Sequence, residues 1–181
     1  MSRKTNLALA RLLYSSMFMA LGLLLPFLTA QIPQIGKALL PMHLPIFICG
    51  FVCGPSWGLL VGVVTPLLRS VVFSMPALMP TAVAMAFELG TYGFVAGLLY
   101  KKLSKNIFMN YITLITSMVC GRIVWGSVMF LLIFLGEAQG DIALSYIWAN
   151  TVLNGVSGIV LQLVVIPPIV NVLKKNRLML N

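Results

Sequence analysis

The chain of 181 residues is short of charge, and shortest of acid: Asp and Glu together number 3, against 12 Lys and Arg and 1 His. Charged residues make up only 8% of it, where a soluble domain carries about 25%. That deficit excludes an ordinary soluble surface. It also leaves a poor kit for hydrolysis or metal-assisted chemistry, which need clustered carboxylates and histidines. The sequence holds no G-x-x-x-x-G-K-[ST] phosphate loop, so ATP hydrolysis by that route is excluded. H-E-x-x-H and a close pair of carboxylates on one helix are missing as well. So are the two matched halves of an inverted-repeat secondary transporter. Cys49, Cys53 and Cys120 lie in apolar runs without further thiols or imidazoles close in sequence, and read as packing residues, not metal ligands.

What is abundant is apolar side chain: 60% of residues, with a mean hydropathy of +1.04. One helical crossing of a bilayer needs roughly 20 apolar residues. The length therefore accommodates about six or seven crossings and leaves no room for a soluble domain. The fold class is an all-α integral membrane protein, a compact bundle of six transmembrane helices forming a single domain over residues 1–181. Breakers and polar clusters place the spans at about 7–30, 43–54, 57–73, 81–100, 107–135 and 142–173. Pro33 and Pro41 mark a first loop, and Gly54-Pro55-Ser56 a tight turn. Pro76 and Pro80 mark a non-helical segment over residues 74–80, and Gly136 to Asp141 a polar turn; Pro167 and Pro168 interrupt the last span late.

Arg3, Lys4 and Arg11 ahead of a long apolar run superficially resemble a signal peptide, but the run reads as a retained first helix. The remaining basic residues cluster at Lys101, Lys102, Lys105 and at Lys174, Lys175, Arg177. Lys and Arg favour cytoplasmic loops, which predicts both termini inside. Clusters so placed read as topology signals and contacts to anionic lipid, not as a nucleic-acid surface.

The run His43 to Tyr100 is the most informative stretch. Gly50, Gly54, Gly58 and Gly62 recur four residues apart, the spacing of a smooth helical stripe against which another backbone can approach. Pro55 divides the stripe into a Gly50/Gly54 half and a Gly58/Gly62 half. The same greasy run keeps His43, Arg69 and Glu88. A charge near the bilayer centre costs roughly 2.5–3.5 kcal/mol on insertion scales, so Glu88 and the mid-span Arg122 call for an account. They either pair to brace the bundle or face a wet cavity and meet a solute. Helical spacing favours the cavity. Tyr92 shares a face with Glu88. Met118, Arg122, Trp125 and Met129 share one on span 5, and Asn150, Asn154 and Ser157 one on span 6, with Trp148 near its outer end. Such a lining suits a small amphiphilic solute with a carboxylate or several hydrogen-bonding groups. Each Asn also serves as interhelical glue in a second reading, Trp148 as an interface anchor and His43 as a helix-end residue among headgroups.

The stretch HLPIFICGF through GPSWGLLVGVVTPLLRSVVFSMPALMPTAVAMAFELGTYGFVAGLLY, within a six-span chain of this length, resembles the substrate-binding S components of energy-coupling factor (ECF) transporters. The resemblance implies a vitamin-uptake subunit of a bacterial cell membrane. It implies a transmembrane coupling (T) subunit and two ATPase subunits as partners, which would supply the energy this chain lacks a phosphate loop to harvest. It implies docking through small residues of span 1 in an A-x-x-x-A pattern, whose nearest match is Ser16-x-x-x-Ala20, with serine in the first place. Among such components the sequence looks most like the pantothenate-type members. Arg122 and Arg69 are then the carboxylate partners, Asn150 and Asn154 meet the amide and hydroxyls, and Trp125 and Tyr92 form walls. Folate, a hydroxymethylpyrimidine and a pyridoxine-like vitamin are the alternatives. From a different class, a self-sufficient channel or facilitator lined by Arg122 and Glu88 is the rival. No cofactor is implied.

Overall fold

The computed structural model describes residues 3–29, 40–103, 106–135 and 156–181, and these contain helices and turns with no strand among them. Helix α1 (Arg3–Leu24) runs on into a 3-10 turn, Leu25–Thr29. Then come α2 (His43–Cys53), α3 (Pro55–Phe73), α4 (Val83–Lys102), α5 (Ile107–Phe134) and α6 (Val156–Lys175). Five stretches are long and apolar enough to cross a membrane: Asn6–Phe27, Pro55–Phe73, Leu78–Lys102, Ile107–Phe134 and Ser157–Lys175. Helix α2 has 11 residues, roughly 16 Å of rise, about half of a crossing. The molecule is a helical membrane bundle of multi-pass type.

Two expectations about proline need correction. Pro167 and Pro168 do not interrupt the last helix, which passes through both to Lys175, and Pro66 likewise sits inside α3. Proline's fixed φ is already helical, and what it removes is one N–H. In an apolar medium unwinding gains nothing, because freed carbonyls would find no water. The segment expected to be irregular over 74–80 is so only in part: Leu78–Ala82 forms a wide π-type turn, with Met79 in an extended conformation, leading directly into α4. Pro55 opens α3, the first-turn place where its missing N–H is not needed.

Helix α4 is the hub, packed on α2, α3 and α5. Its tightest contact is a glycine seam. A Cβ added at Gly93 would overlap the backbone of Gly58 on α3. One at Gly62 would overlap the backbone at Leu89, one at Gly50 of α2 would meet Gly93, and one at Gly97 would meet Gly54 and Pro55. Three helices thus touch main chain to main chain, the arrangement the four-residue spacing predicts. Gly54 itself, at φ 98, joins α2 to α3 in a conformation only glycine adopts without strain.

Arg11 and the lysine-bearing ends of α4 and α6 lie at one side of the bundle, and the last residues of the chain fold back across it. Helix α6 closes in a paired turn, with Leu178 N–H donating to Leu173 O (3.0 Å) and Arg177 N–H to Lys174 O (3.1 Å). The stretch of chain beyond it is tied to three helices. Leu180 N–H donates to Val52 O (2.8 Å), and Asn181 Nδ2 to Gly97 O (2.9 Å). Arg11 donates from Nε (3.1 Å) and Nη2 (2.5 Å) to Leu180 O. Removing this charged donor in Arg11→Met should cost about 1.5–3 kcal/mol. The expected result is faster carboxypeptidase trimming of the last residues in detergent, at an unchanged helical signal. Equal trimming rates would mean that the clasp does not hold the tail.

Candidate functional site

The sequence puts Glu88 and Tyr92 one turn apart on α4, and the structure joins them: Tyr92 Oη donates to Glu88 Oε1 at 2.6 Å. Arg122 comes in from α5, its Nη1 at 3.2 Å from the same carboxylate oxygen. Gly121 makes this possible, because a Cβ there would overlap the Tyr92 ring. The ring lies in the notch the missing side chain leaves, which brings the phenol and the guanidinium of the next residue to one carboxylate. Glu88 is 2% exposed and Arg122 17%. Arg122 stands about halfway along α5, roughly 22 Å from its start.

Helix α2 supplies the remaining wall. The Phe47 ring stacks on Tyr92 with centroids 4.7 Å apart, and the His43 ring lies 5.6 Å from Tyr92. His43 is 2% exposed, so it is not a helix-end residue among headgroups; that reading is corrected. Helix α2 starts against the bundle, and its first residue points into the core. Neither ring nitrogen of His43 has a hydrogen-bond partner among the described residues, and neither does Arg122 Nε. Buried polar atoms are nearly always paired. Three nitrogens of this cluster find no partner among the described residues, near an ion pair and stacked aromatics.

Other sequence candidates fall elsewhere. Arg69 is buried, but its Nη1 donates to Leu23 O at 2.7 Å, and its guanidinium lies 5.2 Å and 5.5 Å from the Phe27 and Phe73 rings. It caps the C-terminal end of α1, where carbonyls lack helical partners, and the structure does not bring it to the Glu88 pair. Trp125 is half-buried one turn beyond Arg122, Met118 and Met129 are buried, and no contact of Trp125 with the pair is seen. Asn150, Asn154 and Trp148 lie outside the described residues. Ser16 and Ala20 are exposed on α1, while Gly22 on the opposite face is buried against Thr65 of α3.

Sequence reasoning passed over Gln162, which is 1% exposed on α6 with an unpartnered Nε2. It also passed over the buried series Asn110, Thr113 and Ser117 on α5, of which Asn110 Oδ1 and Thr113 Oγ1 find no partner among the described residues. The signal was available in the spacing. Residues 110, 113, 117 and 121 fall on one helical face that leads to Arg122, and Gln162 continues the four-residue spacing of Asn154 and Gly158.

A buried ion pair, with polar atoms near it that find no partner among the described residues, thus lies inside a multi-pass helical bundle. The sequence model described as ECF transporter, substrate-specific component matches residues 10–170, and the chain belongs to that family. No curated protein and no solved structure matches it. As a member it is a transport protein, the component that confers substrate specificity.

Proposed function

We propose that the chain captures a vitamin-type solute from outside the cell at the Glu88–Arg122–Tyr92–His43 cluster, for ATP-driven uptake with a transmembrane coupling subunit and two ATPase subunits. The observation that carries this is the buried His43 ring, packed on Tyr92, with neither nitrogen partnered among the described residues. The basic residues gathered at one end support a cytoplasmic placement of both termini in a bacterial cell membrane. Trp125, Asn150, Asn154 and Trp148 complete the site in this reading, and Arg69 holds its outer rim through α1.

For the solute itself, the sequence resemblance favours pantothenate. Its carboxylate would have to draw Arg122 away from Glu88. A hydroxymethylpyrimidine or a pyridoxine-like ring would not, and the Phe47–Tyr92–His43 wall offers it a stacking surface; this second reading is the one the ion pair favours. Mass spectrometry of small molecules released from protein purified without added ligand decides between them. About one vitamin per chain is expected. Flux in liposomes holding this protein alone would point instead to a channel.

Docking in this reading uses the uncovered face of α1 that carries Ser16 and Ala20. Ala20→Leu should block uptake by the assembled complex by about tenfold or more, since a smooth helix face is lost, while solute binding to the isolated chain stays within twofold. Binding lost in parallel would place α1 in the folding core instead.

A further inference from the structure

The charge count of the site restricts what it can hold. Glu88 is the only acidic residue among the described ones, and it is spent on Arg122 and Tyr92. Of the elements packed on α4, α5 brings Arg122 and α2 brings His43. Helix α3 has a single basic side chain, Arg69, already engaged with Leu23 O and two phenyl rings. The turn Leu78–Ala82 has no charged residue. Among the described residues the site is therefore a compensated pair, one guanidinium and one carboxylate, with three nitrogens in the same cluster that find no partner among those residues.

We propose that Glu88 sets the charge of the ligand: the site takes an uncharged, hydrogen-bonding solute and discriminates against the corresponding carboxylate. This rests on the reading of the cluster as the substrate site. A carboxylate entering at Arg122 would lie beside Glu88, two like charges stripped of water around one guanidinium, an arrangement that is strongly disfavoured. An uncharged ligand meets no such cost. A neutral imidazole offers one donor and one acceptor, and Arg122 Nε–H is a further donor. An alcohol or ring nitrogen can satisfy these without disturbing the pair, and the aromatic wall of Phe47 and Tyr92 covers its apolar side. Glu88 thereby acts as the specificity residue through charge, by keeping Arg122 from serving as an anion receptor.

The test uses three alcohol–carboxylate pairs of otherwise equal shape: pantothenol and pantothenate, pyridoxine and 4-pyridoxate, and the hydroxymethylpyrimidine and its carboxylate. Each is titrated calorimetrically into the detergent-purified full chain. In the pair that the wild-type protein binds, the alcohol should bind at least about tenfold more tightly than the carboxylate. Glu88→Gln leaves Arg122 uncompensated and should invert that order. Glu88→Gln with Arg122→Gln removes both charges and should restore the alcohol preference at lower affinity. Should Glu88→Gln not fold, Arg122→Gln serves in its place, and the preference for the alcohol should then widen. A wild-type preference for the carboxylate, or a ratio that Glu88→Gln leaves unchanged, overturns the proposal while the substrate-site reading stands. A wild-type protein that binds no member of any pair, and from which no small molecule is released when it is purified without added ligand, overturns both.

Discussion

Gly93→Leu is expected to yield almost no folded protein, with a loss of stability well above the about 1–3 kcal/mol of ordinary core overpacking. The reason is geometric. At most overpacked positions a neighbouring side chain can swing away, but at Gly93 the obstruction is the main chain of Gly58, which is itself held in α3. A leucine there can be admitted only by separating α3 from α4. That separation would open the contacts at Gly62 and Gly97 along the same seam and withdraw α2, whose Gly50 rests on Gly93. The matched control is Gly126→Leu on α5, where an added Cβ meets nothing among the described residues within 4 Å. The two variants make the same chemical change in the same kind of helix. Size-exclusion recovery and thermal midpoint in detergent should be near wild type for Gly126→Leu and collapse for Gly93→Leu. Similar recoveries would show that α3 and α4 are not in backbone contact.

One side of that seam was legible in the sequence because its signal is periodic, Gly50, Gly54, Gly58 and Gly62 recurring four apart; Gly93 and Gly97 on α4 were passed over, and Gly54 proves to be the joint between α2 and α3 and not part of a helical face. The span ends were legible for a related reason. Gly54-Pro55 and the lysine clusters are local signals, and the observed helices of α3, α4 and α5 begin or end within a few residues of them. The meeting of Glu88, Tyr92 and Arg122 was half legible. Spacing put Tyr92 with Glu88, and the cost of an isolated charge demanded a partner, but only the structure shows Gly121 making room for the Tyr92 ring. The settings of His43 and Arg69 were not legible, because they are tertiary. A histidine at a helix start looks solvent-facing until α2 proves to be a short helix sunk against α4. An arginine near a helix end looks like a ligand group until the open carbonyl of Leu23 on α1 is seen to take it. The tail over Leu178–Asn181 has no periodicity at all, and its hydrogen bonds to Val52 and Gly97 have no sequence signature.

Arg122→Met should destabilise the protein by about 3–5 kcal/mol, because it leaves the Glu88 carboxylate buried without its counter-charge. The same change made together with Glu88→Gln should recover more than half of that loss, since the uncompensated charge, not the missing side-chain volume, carries the penalty. Unfolding in a denaturing detergent series measures both. A single variant within about 0.5 kcal/mol of wild type would mean that water reaches the pair and that its burial at 2% and 17% exposure does not describe the protein in a membrane. Binding separates the two roles of the pair. If Arg122 served only to hold α5 on α4, the double variant, once stable again, would bind its solute as the wild type does. Arg122 Nε is one of the open donors beside His43, and methionine cannot replace it. Solute affinity should therefore stay at least about tenfold down in the double variant even though stability has returned. That divergence, stability restored and binding not, is what an ion pair positioned for a ligand produces and one that only joins helices does not.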